Sequence, residues 1–328
     1  MRWPSLWRLL QNKTGIFLLT SFSKHKNTRI IARSFFLRQK PILTPRARKL
    51  VQYIFPERLE GEFGTKITAG IVTTFKDSQF LNLSITGIEK SLGENLYEIF
   101  IVCPKSDFIE MHKFTNPRVT ILKDEDLIND NLLDVISRYP QSRRGWIKQQ
   151  VLKMALVEYA TTQTTLLVDA DTILLRRQKW FDDDGNQALA ISDEFHEPYQ
   201  SHIERFQLRI GIKNLKQTRV SFVTHHQLMQ KSLIKQLFET ILNADFDSRI
   251  ATWLNAIDQN EPSSACEWHT YGNFLLNVSR TINFYQWKNL AISPVKLKSL
   301  LTGNSNLDFE KIRKNYPEFN SISAHHYL

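Results

Sequence analysis

The sequence predicts an α/β fold in which a mainly parallel sheet is flanked by helices. Short apolar segments with the length of strands alternate with longer segments whose apolar residues recur at helical spacing. The strand segments are apolar on both faces, which is typical of parallel strands covered by helices on both sides. The second half of the chain is less regular and more helical.

The predicted elements follow one another from Lys66 onward. Strands are predicted at 66–75, 96–103, 117–124 and 164–170. Helices are predicted at 77–93, 143–160, 225–242 and 246–257. The alternating segment 321–328 indicates a last short strand or an ordered tail. Asp77 stands where it would cap the first of these helices.

Residues 1–60 are predicted to be a leader that is separate from a domain at 61–328. Up to Val51 the chain holds 12 lysines and arginines and no acidic residue. The leader also carries large apolar residues that share one face of a helix, Trp3, Leu6, Trp7 and Leu10. Three interpretations fit such a segment: a disordered basic tail, an anchor at an anionic membrane surface, and an organelle transit peptide.

Charge and composition exclude several classes of protein. Beyond Val51 the chain has 31 basic and 33 acidic residues, so we expect no nucleic-acid-binding face. The sequence contains no run of about 18 apolar residues, so we expect no transmembrane helix. The two cysteines, Cys103 and Cys266, are too few for a disulfide framework and fit a reducing compartment. We therefore expect a cytoplasmic protein that is peripheral on the inner face of the membrane if the leader is an anchor.

Two aspartates follow the last of the predicted parallel strands, in the segment TTLLVDADTILLR at 164–176. Ligands of open α/β sheets bind at the carboxyl ends of the strands, so Asp169 and Asp171 are expected at that edge. Two carboxylates there repel each other unless a cation lies between them. Mn²⁺ and Mg²⁺ take oxygen ligands and share them with substrate phosphates. The pair indicates a metal that holds a diphosphate; two solvated residues in a turn are the alternative.

The helix before this strand carries two different stripes. The apolar stripe, which is predicted to face the core, consists of Ile147, Val151, Met154 and Ala155. The other stripe consists of Trp146, Gln149, Gln150 and Lys153. It mixes an aromatic ring with amides and an ammonium group, a combination that suits ligand binding; a solvated helix face is the alternative.

Several segments together resemble a bacterial family of glycosyltransferase-like proteins with the GT-A fold. In chain order they are IVTTF, IFIVCP, RRGWIKQQVLKM, LLVDADTILLR, THHQLM, CEWHTYGNFL and SISAHHY. The D-x-D pair is common to many GT-A enzymes, whereas the W-x-x-Q-Q helix, the Y-G-N segment and the terminal histidines are more specific to this family. The resemblance covers roughly 65–328. It implies a GT-A-like sheet, a nucleotide-sugar donor, a divalent metal and transfer of a sugar to an acceptor.

The resemblance also assigns roles around the donor. Residues that end the first strand would hold the nucleotide base and ribose: Thr73, Thr74 and Phe75. Two residues of the W-x-x-Q-Q helix, Lys148 and Gln149, would lie near the donor. Apart from the resemblance, Arg143, Arg144 and Lys148 are alternative sources of positive charge at the departing diphosphate. Asp169 would touch the ribose or the metal, and Asp171 would ligate the metal. His325 or His326 resembles the late histidine that completes the metal site in several GT-A enzymes.

The segment 267–273 is predicted to line the acceptor pocket, because it offers a carboxylate, an indole and a phenol together. Glu267 is expected to contact the attacking hydroxyl, as its hydrogen-bonding partner or its base, and His269 is a second candidate base. Acceptor contacts are expected from His225, His226, Trp268, Tyr271 and Asn273. The alternative is that the aromatic residues belong to the core and that Glu267 is a solvated cap.

The main interpretation is a metal-dependent glycosyltransferase that moves a sugar from a nucleotide sugar to a glycan or lipid-linked acceptor, as in polysaccharide biosynthesis. Two alternatives stay open. The first is a non-catalytic nucleotide- or sugar-binding protein on a transferase fold, which stays open because the resemblance leads us to expect an acidic residue where His269 stands. An aspartate-nucleophile phosphatase is the other, because its D-x-D-x-T/V motif resembles DADTI.

Overall fold

The computed structural model describes most of the chain from Thr65 onward. The described ranges are 65–114, 116–182, 185–192, 196–209, 221–239, 245–258, 260–278, 283–302 and 306–325. The predicted leader and His326 lie outside the described residues.

Strands and helices alternate through the first half of the described chain. The strands are β1 (Ile67–Val72), β2 (Leu96–Cys103), β3 (Val119–Lys123), β4 (Thr164–Val168), β5 (Thr172–Leu174), β6 (Ala188–Ile191), β7 (His226–Gln230), β8 (Asn283–Gln286), β9 (Asn289–Ile292), β10 (Leu301–Thr302), β11 (Asn306–Leu307) and β12 (Ser321–Ala324). The helices are α1 (Leu81–Leu92), α2 (Phe108–Met111), α3 (Asp130–Ser137), α4 (Gln141–Tyr159), α5 (Glu197–Arg209), α6 (Lys231–Glu239), α7 (Phe246–Leu254), α8 (Glu267–Val278), α9 (Pro294–Ser299) and α10 (Phe309–Asn315).

Five strands form the main sheet in the order β3-β2-β1-β4-β7. The pairs among β3, β2, β1 and β4 are parallel, and β7 pairs antiparallel with β4. Both faces of β1 are buried, because the alternating side chains of a strand point to opposite faces and helices cover both. The predicted α/β class, with a mainly parallel sheet flanked by helices, is confirmed.

The two faces of the main sheet belong to two different apolar clusters. Val72, Phe100 and Leu167 pack on the face covered by α3, α4 and α6–α8. Ile71 and Ile99 pack on the opposite face with α1. Burial of about 150–250 Å² by each large core aromatic contributes much of the stabilisation of such clusters.

A smaller three-stranded sheet adjoins the main sheet and has the order β5-β12-β9. In it β12 pairs antiparallel with β5 and parallel with β9. Because β5 begins at Thr172, only the three residues 169–171 separate the main sheet from the small one. The D-x-D pair therefore lies at the junction of two sheets.

Two predicted elements differ from the observed ones. The predicted helix 225–242 is β7 followed by α6. The strand forms because its residues pair with β4, where Leu228 and Met229 reach opposite faces of the sheet. The first strand ends at Val72, and a 3₁₀ turn over Phe75–Phe80 precedes α1. Asp77 lies in that turn, and its carboxylate accepts a hydrogen bond from the Thr74 hydroxyl at 2.8 Å and does not cap α1.

No helix within the described ranges is long and apolar enough to cross a lipid bilayer.

The packing of α1 against β5 leads to a first prediction. A Cβ atom on Gly87 would lie 2.7 Å from the backbone nitrogen of Leu174 and 2.9 Å from its carbonyl oxygen. A strand backbone cannot move aside cheaply, so Gly87→Ala should lower the free energy of unfolding by about 2–3 kcal/mol. Urea unfolding followed by circular dichroism measures this change.

The matched control is Gly145→Ala in α4, where no described atom lies within 4 Å of the added Cβ. There the free energy of unfolding should rise by about 0.5–1 kcal/mol, because alanine is the better helix former. Equal stability of the Gly87→Ala variant and the parent would contradict the close approach of α1 to β5.

Candidate active site

A cleft of about 850 Å³ lies at the carboxyl ends of the main-sheet strands. Thr73 and Thr74 after β1, Cys103 at the end of β2 and Asp169 after β4 all line it. The chain runs from β1 outward to β2 and β3, and then β4 pairs on the other side of β1. Such a reversal of strand order leaves a crevice at the carboxyl ends, where open α/β sheets bind their ligands.

Asp169 is held by groups from two other parts of the chain. Its Oδ1 lies 2.7 Å from Nζ of Lys153 on α4. Its Oδ2 lies 3.4 Å from Nδ1 of His225, which directly precedes β7. The backbone N–H of Asp169 also donates to the carbonyl of His225 at 3.0 Å. Both carboxylate oxygens therefore have a fixed neighbour.

The charge state of Asp169 follows from these neighbours. Burial raises the pKa of a carboxylate, because it disfavours the charged form. Here the positive charge of Lys153 and the hydrogen bond from His225 outweigh burial and lower the pKa of Asp169 to about 2. Asp169 is therefore ionised at any pH at which the protein would work.

Lys153 lies at the floor of the cleft, where its side chain is only 4% exposed. Besides Asp169, its Nζ contacts Glu267 Oε1 at 2.9 Å and lies 4.0 Å from the ring centroid of Trp268. Burial alone would lower the pKa of an ammonium group, but the two carboxylates raise the pKa of Lys153 above its usual value. The ammonium is thus a permanent positive charge within the cleft.

Asp171 points toward the end of the small sheet. Its Oδ2 lies 3.4 Å from Nδ1 of His325, which follows β12 and lines the same cleft. The backbone carbonyl of Asp171 accepts a hydrogen bond from Ala324 N–H at 3.0 Å, which fixes β12 beside it. The side chain of Asp171 remains 31% exposed, so a ligand in the cleft has access to it.

His225 has a strained backbone. Its φ is 59°, the one positive φ of a non-glycine residue in the described part of the chain. The left-handed conformation costs an L-residue about 1–2 kcal/mol. It brings the His225 ring to 5.0 Å from the ring of His325, between centroids. Backbone strain of this kind is concentrated at functional sites.

The groups around Asp171 fit a divalent metal with two protein ligands. Neighbouring ligand atoms are roughly 3 Å apart around an octahedral ion with bonds of about 2.1 Å, close to the 3.4 Å between Asp171 and His325. Across the described ranges, no group of three or more histidine, cysteine or acidic side chains is placed to hold an ion. Substrate phosphates and water would complete the coordination, as Mg²⁺ commonly allows. Asp169 is less suited, because Lys153 contacts its Oδ1.

Most of the predicted donor residues lie in the cleft. Thr73, Thr74, Lys148 and Gln149 line it, and Gln149 donates to the carbonyl of Val72 at 3.2 Å. Phe75 is 45% exposed beside them, with its backbone N–H bound to the carboxylate of Asp107 at 2.8 Å.

Two of the predicted donor residues do not line the cleft: Phe75, which follows Thr74 in the chain, and Arg144. The Nε of Arg144 donates to the carbonyl of Tyr139 at 2.8 Å. Its position in the first turn of α4 turns it outward, because Gly145 and Lys148 occupy the stripe that faces the cleft.

The two predicted catalytic residues of α8 are corrected by the structure. Glu267 is fully buried behind Lys153 and does not line the cleft, so it cannot contact an attacking hydroxyl there. His269 is 1% exposed, with its ring 5.8 Å from the ring of Phe222 and 6.0 Å from that of Tyr199. The helix turns these side chains into the core because α8 packs against α4, α5 and α6.

Three of the predicted acceptor residues belong to the core, which is a correction. Tyr271 is fully buried, and its hydroxyl donates to Gln187 at 3.0 Å. Asn273 is 2% exposed and donates to the carbonyl of His269 at 2.9 Å. His226 is fully buried against Trp287, at 3.8 Å between ring centroids. His225 and Trp268 do line the cleft, although Trp268 is only 3% exposed.

Some features of this lining were not predicted. Lys153 was placed on the ligand-facing stripe, but its two carboxylate partners, which are far apart in sequence, were not predicted. Asp124 follows β3 and forms an ion pair with Lys148, and it accepts hydrogen bonds from two backbone N–H groups. The acidic run KDED directly after a strand was the signal for it. Tyr199 of α5 also lines the cleft and had no such signal.

Comparison with known proteins gives one family and several structures. The model of a family described as "Family of unknown function (DUF6492)" matches residues 77–319. No curated protein matches the chain.

Two solved structures illustrate the structural similarity. A structure of the galactosyltransferase LgtC in complex with donor and acceptor sugar analogues matches 78% of this chain and 86% of its own, with 11% sequence identity and a TM-score of 0.39. The apo form of mouse xyloside xylosyltransferase 1 matches 80% of this chain and 98% of its own, with 10% sequence identity and a TM-score of 0.41.

The burial of His269 leads to a second prediction. Burial lowers the pKa of His269 to about 3, against about 6.5 for an unfolded histidine. Between these values the unfolded chain binds more protons, so stability that is present above pH 6.5 is lost as the pH falls toward 3. Replacing the residue by His269→Gln should reduce the loss of unfolding free energy between pH 7 and pH 5 by about 2 kcal/mol. Urea unfolding at both pH values measures it.

His112→Gln is the control, because His112 is an exposed histidine at the end of α2. Its loss of stability between pH 7 and pH 5 should match that of the parent. An identical loss in the His269→Gln variant would show that His269 is not buried in its neutral form.

Proposed function

This chain belongs to the family of unknown function DUF6492, and we propose that it is a metal-dependent glycosyltransferase. The observation that carries the proposal is the cleft at the reversal of strand order, with both aspartates of the D-x-D pair in its lining. In the proposed reaction a sugar moves from a nucleotide-sugar donor to a glycan or lipid-linked acceptor.

The donor would bind over the ends of β1–β3. Thr73 and Thr74, which line the cleft, would contact the base and ribose, with the exposed ring of Phe75 beside them. The diphosphate would then lie toward the turn 169–171.

Asp171 and His325 would hold the divalent ion, Mn²⁺ or Mg²⁺, on the side of the turn that faces the cleft. When bound, the ion supplies Lewis-acid stabilisation of the departing nucleoside diphosphate. Asp169 would remain an ionised hydrogen-bond acceptor for donor hydroxyls, because Lys153 and His225 keep its pKa low.

The acceptor would enter over the N-terminal parts of α4 and α5. Trp146 and Tyr199 are half-buried aromatic residues that line this part of the cleft, with Gln150 and His225 nearby in the same lining. Rings and amides of this kind recognise sugars by stacking and by hydrogen bonds to hydroxyls. With Glu267 and His269 buried, His225 is the titratable group of the predicted acceptor set that remains in the cleft.

The test of this function is a panel of nucleotide sugars incubated with the protein and Mn²⁺. Hydrolysis or transfer of one donor supports the transferase. Phosphate release from phosphomonoesters, with every nucleotide sugar left intact, would support the aspartate-nucleophile phosphatase. Saturable binding of a nucleotide sugar without turnover would identify a non-catalytic binding protein.

A third prediction concerns the metal ligand. In the Asp171→Asn variant the side chain keeps its size and loses its charge, so we expect the Mn²⁺-dependent affinity for the nucleoside diphosphate of the active donor to fall about 100-fold. Titration calorimetry with and without Mn²⁺ measures it. Asp134→Asn, at an exposed position of α3, is the charge-matched control. Wild-type affinity in Asp171→Asn would place the metal elsewhere.

The leader would hold the enzyme at an anionic membrane surface, close to a lipid-linked acceptor. Its 12 basic residues before the first acidic one support this role. Each adds up to about 1 kcal/mol near an anionic surface, and the large apolar residues of the leader would contact the acyl boundary.

A fourth prediction tests this placement. Deleting residues 1–50 should abolish pelleting with phosphatidylserine vesicles at low salt and leave donor hydrolysis unchanged. Raising the salt should release the full chain, because salt screens the attraction. Equal pelleting of the two forms would contradict a membrane role for the leader.

A further inference from the structure

Residues from three separate elements meet at the Lys153 ammonium group, at the floor of the cleft. Lys153 comes from the middle of α4, Asp169 from the turn after β4, and Glu267 from the first turn of α8. Nζ of Lys153 lies 2.7 Å from Asp169 and 2.9 Å from Glu267. The three residues, which we call the Lys153 cluster, are far apart in sequence and meet only in the folded chain.

Glu267 depends on Lys153 for its counter-charge. Its side chain is fully buried, and Lys153 is its ion-pair partner within the described residues. Its Oε2 finds no hydrogen-bond donor among them. Even a paired carboxylate gives little net stability when it is buried, because its desolvation penalty offsets the attraction of its partner. Folding alone therefore does not favour a glutamate at this position.

Trp268 restricts the ammonium from a further side. Nζ of Lys153 lies 4.0 Å from the centroid of its ring, within the range of a cation–π contact. A flexible lysine head group is thereby fixed from two directions by α8. The remaining direction is toward the cleft, where Asp169 lies.

We propose that Glu267 and Lys153 are positioning residues for Asp169: Glu267 orients the ammonium of Lys153, and Lys153 fixes the Asp169 carboxylate in the cleft. The inference rests on the proposed function and deepens it, because it gives a role to a buried acid that does not touch substrate. Without Glu267 the ammonium would turn partly away, and Asp169 would lose its defined orientation toward the donor.

The experiment separates stability from turnover by a double-mutant cycle. Lys153→Met has a similar length and leaves two carboxylates without their partner, so its melting temperature should fall by about 10 °C. Adding Glu267→Gln removes one of these carboxylates and should recover at least half of that loss. Donor turnover, assayed well below both melting temperatures, should stay down by about 100-fold in the double variant.

Glu267→Gln alone should remain close to the parent in melting temperature and lose about 10-fold in kcat/KM for the donor. The control is the double variant Glu110→Gln and Lys113→Met, which removes an exposed ion pair between α2 and the residues just after it. Its melting temperature and its kcat/KM for the donor should both be unchanged. Recovery of turnover together with stability in the double variant would overturn the proposal, because the cluster would then be only structural.

A crystal structure of the double variant decides the same point without any enzyme assay. The proposal expects the Asp169 carboxylate to rotate away from its orientation in the parent. An Asp169 side chain that superposes on that of the parent would contradict the proposal even if the parent turns over no nucleotide sugar. A rotated side chain in a protein that turns over no donor would support the positioning and contradict the transferase.

Discussion

The ammonium group of Lys153 is the charge on which the arrangement of the cleft depends. It is almost completely buried and contacts one carboxylate from the end of β4 and one from the start of α8. Each of these ions costs several kcal/mol to remove from water, so the two carboxylates are tolerated there only because the Lys153 ammonium lies between them. The orientation of α8 against α4 is therefore coupled to the position of Asp169 in the cleft.

The turn between the two sheets directs the two aspartates of the D-x-D pair to different partners. The backbone N–H of Thr172 donates to the carbonyl of Asp169 at 2.9 Å and closes this turn, and both Asp169 and Asp171 line the cleft. Between them the carbonyl of Ala170 accepts a hydrogen bond from Ser84 of α1 at 2.7 Å, which anchors the turn from behind. Asp169 is thereby directed to Lys153 and His225, and Asp171 to His325. One carboxylate is already neutralised by the protein, and the other keeps access to a cation from solvent.

Much of the sheet was predictable because its signals are local. β1 and β4 are short apolar segments that are buried on both faces, and a short apolar run in the sequence predicts a strand of this kind. β7 was not predictable, because the residues before Lys231 are compatible with a helix and become a strand only by pairing with β4.

The side chains of the site were likewise predictable only where a local pattern locates them. The D-x-D pair and the stripe with Gln149 and Lys153 were readable, since strand ends and helical spacing locate them. Glu267 has the right chemistry for a base, but its burial is decided by how α8 packs, which no local pattern encodes. Tyr199, which lines the cleft, came from a segment with no signal of ligand binding.

The most direct test of the account is an anomalous difference map from a crystal grown with Mn²⁺ and the nucleoside diphosphate of an active donor. We expect one strong manganese peak within about 2.3 Å of both Asp171 and His325, with the diphosphate next to the peak and the base beside Thr74. The proposed site would be contradicted by a manganese peak away from Asp171. It would also be contradicted by a nucleotide that binds anywhere other than in the cleft, which lies at the carboxyl ends of β1 and β4.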